Sequence, residues 1–124
     1  MPARILAFDT SANATAVAIV DGDRVFAEEA IETTSGRHAE TLLPRIERCL
    51  AASSLTLADL ELIAVGVGPG SFTGVRVGIA TAKGLALATG IPVRGVVSLA
   101  SLALAAFEHS PPRADVWVIL AERR

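Results

Sequence analysis

The sequence predicts an α/β domain with a five-stranded mixed sheet flanked by helices. Three short strand-like runs open the chain at residues 4–8, 15–20 and 24–31, with the tight-turn sequence Asp21-Gly22-Asp23 between the last two. Beyond residue 37, helical segments alternate with apolar strand-like segments. Strands joined by a tight turn pair antiparallel, whereas strands separated by helices pair parallel, so the sheet is predicted to be mixed.

Capping and breaking residues mark the predicted helices and links. Pro44 lies inside the first helix, where it removes a backbone donor. Ser71 is an N-cap candidate for the second helix, and Gly90 is a stop signal at its end. Ser98 caps the third helix, and Thr56 caps a short turn in the link at residues 53–60. The predicted helices are 37–52, 72–88 and 98–108, and the strands among them are 61–67 and 93–97.

The last residues of the sequence predict a linker and a strand outside the alternating pattern of the preceding segments. Residues 109–113 contain Pro111-Pro112 and are predicted to form a linker, and residues 115–121 are a strand candidate that is apolar from Val116 onward. A strand of this kind normally opens a new unit. We therefore predict a first lobe at residues 1–110, followed by the linker and first strand of a truncated second lobe at residues 111–124.

Composition excludes several classes of protein. The chain has 124 residues, 52 % of them apolar and 19 % charged, which indicates one packed domain and excludes a disordered chain. The net charge of −2, without any basic run, argues against a dedicated nucleic-acid surface. The single cysteine, Cys49, lies on an apolar helical face and suggests a core position in a reducing compartment. No signal peptide or bilayer-spanning run is recognisable, so we predict a cytoplasmic protein without membrane contact.

The first candidate site is the polar segment at residues 9–13, which follows the first strand. In actin-like and sugar-kinase ATPases, an Asp at this point organises magnesium, and glycines in the same turn let backbone N–H groups approach a phosphate. This chain has Asp9 and nearby hydroxyls, but Thr10, Ser11 and Ala12 stand where glycines are needed. The alternative, which this favours, is a turn whose Asp and Ser side chains bond to the backbone.

The second candidate is the glycine-rich segment at residues 66–74, between a strand and a helix. Lysine is absent at the spacing of a phosphate-binding P-loop, and the third glycine and ribose-binding acid of a dinucleotide site are missing. One interpretation is anion binding by backbone donors of Gly68, Gly70 and Ser71. The other is backbone geometry, with glycines at positive φ and hydroxyls as helix caps.

Small residues recur at every fourth position of the second helix: Gly74, Gly78 and Ala82. Such a stripe lets another element approach closely. It faces either the chain's own sheet or a partner helix. Because this helix is apolar nearly all round, we predict a partner. Gly78→Leu is then expected to leave the monomer folded and to break the contact.

The remaining polar residues form no recognisable catalytic or metal-binding set. The two histidines are far apart and have no cysteine near them, and no serine has a paired His and Asp. We therefore predict no catalytic residue and no metal ligand; the residues considered are His38, His109, Ser11, Ser71 and Ser98.

Several blocks of the chain resemble the TsaB (YeaZ) family. The most specific is Gly-Pro-Gly-Ser-Phe-Thr-Gly-Val-Arg-Val-Gly at residues 68–78. Ile-Leu-Ala-Phe-Asp-Thr-Ser at residues 5–11 and His-Ala-Glu-Thr-Leu-Leu-Pro at residues 38–44 add to it, and the match continues through residues 82–86 and 91–93. The resemblance implies an actin-like ATPase fold of the ASKHA, ribonuclease H-like type with two lobes, of which this chain holds the first.

The resemblance also implies a role in making N6-threonylcarbamoyladenosine at position 37 of tRNA. In that family the protein is a non-catalytic partner of a TsaD-like paralogue that binds metal and transfers the group, and a TsaE-like ATPase joins the complex. It implies homodimers through first-lobe helices, no cofactor, and tRNA contact only through the complex. Gly68, Gly70 and Ser71 remain weak candidates for a nucleotide at a complex junction. We expect the partner interface at Leu42, Ile46, Gly74, Gly78 and Ala82.

One departure from the paralogue supports a non-catalytic role. TsaD-like chains carry a metal-binding His-x-x-x-His pair after the segment equivalent to residues 91–92, and the aligned positions here are Ser98 and Leu102. The main alternative is a nucleotide-dependent phosphotransferase of the same superfold, resting on Asp9 and the loop at residues 68–70. A third class, peptidase, requires a nucleophile or metal set that the sequence does not offer.

Overall fold

A computed structural model describes residues 3–33 and 37–108. Three strands open the fold, and helices then alternate with two further strands, as the sequence predicts. A short 3-10 turn at Leu57–Asp59 precedes the fourth strand. The strands are β1 (Arg4–Ala12), β2 (Ala14–Asp21), β3 (Arg24–Glu32), β4 (Leu62–Gly66) and β5 (Val93–Val96), and the helices are α1 (His38–Ser53), α2 (Phe72–Thr89) and α3 (Ser98–Glu108).

The five strands form one mixed sheet in the order β3-β2-β1-β4-β5. The hairpin-linked strands β1, β2 and β3 pair antiparallel, whereas β1 with β4 and β4 with β5 pair parallel. This arrangement confirms the predicted fold class. The two modes of pairing follow from the connections, because a turn reverses the chain and a helical crossover returns it.

Two helices cover one face of the sheet. α1 packs on β2 and β3, α2 packs on β1 and β4, and the two helices touch each other. Alternate side chains of the central strands supply the core beneath them, because successive residues of a strand point to opposite faces. The fully or nearly fully buried members are Leu6, Phe8, Val17, Ile19, Ile63 and Val65, together with Leu42, Ile46 and Cys49 of α1.

The first strand is longer than predicted. We expected residues 9–13 to be a polar break, but β1 continues to Ala12 and only Asn13 separates it from β2. The pairing with β2 changes register between Asp9 and Ala12, which marks an irregularity there. A register shift accommodates polar residues inside a strand because it lets their side chains turn towards partners away from the ladder.

The small-residue stripe of α2 does not face a partner. Gly74, Gly78 and Ala82 are the buried residues of this helix. A Cβ atom at Gly78 would lie 2.9 Å from Thr10 Oγ1 and 3.4 Å from Val65 Cγ2, both on the sheet. The predicted interface is therefore wrong for these three residues: they are small because the chain's own β1 and β4 lie against them.

The α1 residues of the predicted interface are equally unavailable. Leu42 is 1 % exposed and Ile46 is 2 % exposed, and both belong to the core cluster. Their helical spacing is that of the face turned to the sheet, which the sequence pattern cannot distinguish from a face turned to another protein.

The buried thiol of Cys49 is a core group, as predicted. It is 1 % exposed, and its Sγ donates to the Val17 carbonyl oxygen at 3.9 Å. Burial raises the pKa of this thiol, and the nearby negative charge of Glu29 raises it further. As the pH rises through the usual pKa of a thiol, the unfolded chain therefore loses this proton before the native chain does, and the free energy of unfolding falls.

This environment predicts a protected cysteine. We expect a thiol-specific maleimide to label Cys49 in the native chain far more slowly than in the chain unfolded by guanidinium, because only the exposed thiolate reacts. Labelling is followed by intact-mass spectrometry at pH values on both sides of neutrality. Equal rates in the two states would show that the thiol is accessible in the native fold.

The described residues end at Glu108. The predicted linker and strand at residues 111–124 lie outside them, and so does His109. Within residues 3–33 and 37–108, no helix has the length and apolar character needed to cross a bilayer.

Candidate functional site

The first candidate site is the junction where β1, the β4–α2 loop and α3 meet. The Ser98 hydroxyl at the start of α3 accepts two hydrogen bonds, from the Gly68 N–H and from the Ser11 hydroxyl, each at 3.1 Å. The Ser98 N–H in turn donates to the Gly68 carbonyl at 2.9 Å. Ser11 and Ser98 are 4 % and 6 % exposed. One buried hydroxyl therefore joins three segments of the chain.

The Asp9 carboxylate accepts a hydrogen bond from the backbone two residues further along the chain. Its Oδ1 accepts the Ser11 N–H at 2.7 Å, which is the side-chain-to-backbone bond expected of a turn-forming Asp. The same carboxylate fills the space above Gly66, where an added Cβ would lie 2.0 Å from Asp9 Oδ2. A side chain at Gly66 would therefore require the Asp9 carboxylate to move.

Of the loop candidates, Gly68 and Ser71 use their polar groups within the fold, and Gly70 lies close to the backbone of Ser11. Gly68 has φ +88°, and its N–H donates to Ser98. Ser71 N–H donates to the Ser11 carbonyl at 2.7 Å, and Ser71 Oγ accepts from the Gly74 N–H as the N-cap of α2. A Cβ at Gly70 would lie 2.1 Å from the Ser11 carbonyl oxygen. These contacts favour the backbone-geometry interpretation over anion binding.

The junction predicts a specific effect of removing one oxygen atom. Ser98→Ala leaves the buried Gly68 N–H without its acceptor, which costs about 1–3 kcal/mol. We expect faster hydrogen exchange at the Gly68 amide and a lower urea midpoint. Ser101→Ala, one turn further along α3 at an exposed position, is the matched control and is expected to change neither. Unchanged exchange at Gly68 in Ser98→Ala would contradict the role of the hydroxyl.

A second polar cluster holds the start of α1 on the sheet. Thr15 Oγ1 lies 2.9 Å from Thr33 Oγ1, 3.1 Å from His38 Nδ1 and 3.0 Å from Thr41 Oγ1. His38 is 2 % exposed, so its ring is a buried structural partner of these hydroxyls. This cluster was not predicted from the sequence. Its members belong to β2, α1 and the residue after β3, and no local pattern connects them.

The side of α2 turned away from the sheet is exposed and carries large apolar side chains beside two cations, and with Leu43 of α1 we call it the outer helical face. It comprises Leu43 of α1 and Phe72, Arg76, Ala80, Lys83, Gly84 and Leu87 of α2. Phe72 is 75 % exposed, Leu87 is 91 % exposed, and Leu43 is 48 % exposed. The Arg76 guanidinium lies over the Phe72 ring at 5.0 Å. At Gly84 an added Cβ would meet no atom within 4 Å. Helical spacing sets this face opposite the buried stripe of α2.

The described residues contain no group of three or more His, Cys, Asp or Glu side chains placed to hold a metal ion. Ser98, at one position of the paralogue's histidine pair, is buried in the junction, whereas Leu102 at the other is 57 % exposed. The Ser11 hydroxyl donates to another serine, so it is not paired with an imidazole.

A family model now identifies the chain's relatives. The model described as TsaD, tRNA N6-adenosine threonylcarbamoyltransferase, matches residues 29–121. The chain belongs to this family. It is 41 % identical over 107 residues to the tRNA threonylcarbamoyladenosine biosynthesis protein TsaB of Escherichia coli, covering 86 % of this chain and 46 % of that protein. It is 43 % identical over 105 residues to the TsaB of Haemophilus influenzae, covering 84 % of this chain and 43 % of that protein.

Solved structures of the family agree with the sequence matches. YeaZ from Pseudomonas aeruginosa superposes with a TM-score of 0.80 at 38 % identity, covering 86 % of this chain and 49 % of that chain. A second structure, of an uncharacterized protein with similarity to peptidase YEAZ from the same organism, gives the same TM-score and identity. The resemblance to TsaB (YeaZ) proteins and the actin-like fold are thereby confirmed. The chain spans about half the length of these relatives.

Proposed function

We propose that the chain is the first-lobe part of a non-catalytic subunit in tRNA N6-threonylcarbamoyladenosine biosynthesis. The observation that carries this is its identity of 41 % to a protein named for that pathway, over most of its length. The polar junction supports the proposal that the subunit is non-catalytic. Its candidate residues make hydrogen bonds to other groups of the fold: Asp9, Ser11, Ser71 and Ser98. The cytoplasm, where tRNA is modified, is the proposed compartment.

We propose that its partners are a TsaD-like catalytic paralogue and a TsaE-like ATPase, with tRNA bound only through the complex. The outer helical face supports a protein partner, because a Phe and a Leu that are three quarters or more exposed on one helix leave much apolar surface in water. Ala80 and Gly84 between them let a second helix approach closely. We therefore propose an interface on the outer helical face, on the side of α2 opposite the buried stripe that the sequence analysis proposed. The homodimer is proposed to use the same face.

The phosphotransferase alternative conflicts with the hydrogen bonds that the junction already makes. A phosphate at the β4–α2 loop would compete with Ser98 for the Gly68 N–H and with the Ser11 carbonyl for the Ser71 N–H. If these bonds break, the fold loses contacts that join β1, the loop and α3. A peptidase would need a nucleophile activated by a base, and the Ser11 and Ser98 hydroxyls are bonded to each other.

Two measurements separate these functions. We expect the purified chain to bind neither ATP nor zinc stoichiometrically, because the Gly68 and Ser71 N–H donors of the loop are bonded within the fold and the described residues hold no metal-binding group. Isothermal calorimetry with Mg-ATP and elemental analysis after dialysis are the measurements. Micromolar ATP binding that Asp9→Asn abolishes would favour the phosphotransferase, and stoichiometric zinc would favour a metallopeptidase.

Capture of the TsaD-like paralogue by the tagged chain from native cytoplasm tests the scaffold role directly.

A further inference from the structure

We draw no further inference here: the strongest candidate, the apolar cavity of about 540 Å³ on the sheet face opposite α1 and α2, whose lining includes Ala7, Ala16, Ala18, Ala64 and Ser101 of α3, is an unpartnered sheet face, and nothing in the structure shows what covers it.

Discussion

Gly74→Ala is expected to destabilise the fold strongly, although it adds one methyl group to a helix. The added Cβ would lie 2.0 Å from the Thr10 carbonyl oxygen of β1. Backbone cannot rotate away as a side chain can, so α2 and β1 must separate, and Ser71 loses its capping bond geometry with the Gly74 N–H. We expect a loss of about 3 kcal/mol, at the upper end of the usual cost of overpacking. Urea unfolding followed by circular dichroism measures it.

Gly84→Ala is the matched control on the same helix. No atom lies within 4 Å of its added Cβ, and alanine favours a helix over glycine by up to about 1 kcal/mol, so this variant is expected to be more stable than the parent. Gly78→Leu should also unfold the chain, which reverses the expectation from the sequence pattern. Two glycine variants with equal stability changes would mean that α2 does not pack on β1 through this stripe.

Leu87→Glu is expected to abolish association through the outer helical face without unfolding the monomer. Leu87 is 91 % exposed, so the substitution costs the isolated chain little. In an interface it removes a buried leucine and adds a charge, and we expect the dissociation constant to rise at least about a hundredfold, or about 3 kcal/mol. Analytical ultracentrifugation of parent and variant gives this constant for the proposed homodimer.

Two further variants locate the interface more closely. Gly84→Leu fills the groove between neighbouring helices and should weaken the dimer while remaining folded. Leu104→Glu, on α3 at 63 % exposure, is the control with the same chemistry elsewhere and should associate normally. Lys83, the single lysine, lies on α2 beside Gly84 and is expected to be protected from acylation in the dimer. If Leu104→Glu were the variant that dissociates, the association would run through α3 instead.

The sheet could be predicted from sequence because its signals are local. Apolar runs, the turn at Gly22 and the alternation of helices with strands indicate the antiparallel and parallel pairing that the sheet shows. Caps at Ser71 and Gly90 also occur where their chemistry indicates. The extent of β1 could not be predicted, because Asp9 is unfavourable in a strand. The hydroxyls of Thr10 and Ser11 are bonded to partners far along the chain, the Gly74 carbonyl and Ser98, which no local pattern reveals.

The direction of the small-residue stripe illustrates a limit of helical patterns. Gly74, Gly78 and Ala82 show that something approaches α2 closely, but spacing cannot say whether it is a strand or a partner helix. The answer depends on Thr10, whose hydroxyl bonds to the Gly74 carbonyl from 64 residues away along the chain. The junction of Ser11 and Ser98, 87 residues apart, was hidden for the same reason.

Capture of the TsaD-like paralogue tests the central claim most directly. The tagged parent chain, Leu87→Glu and Leu104→Glu are purified from the native cytoplasm, and the bound paralogue is quantified by mass spectrometry. We predict capture by the parent and by Leu104→Glu, and loss of the paralogue from Leu87→Glu while its circular dichroism stays that of the parent. Absence of the paralogue from the parent sample, or equal capture by Leu87→Glu, would contradict the claim that the outer helical face joins this chain to a catalytic partner.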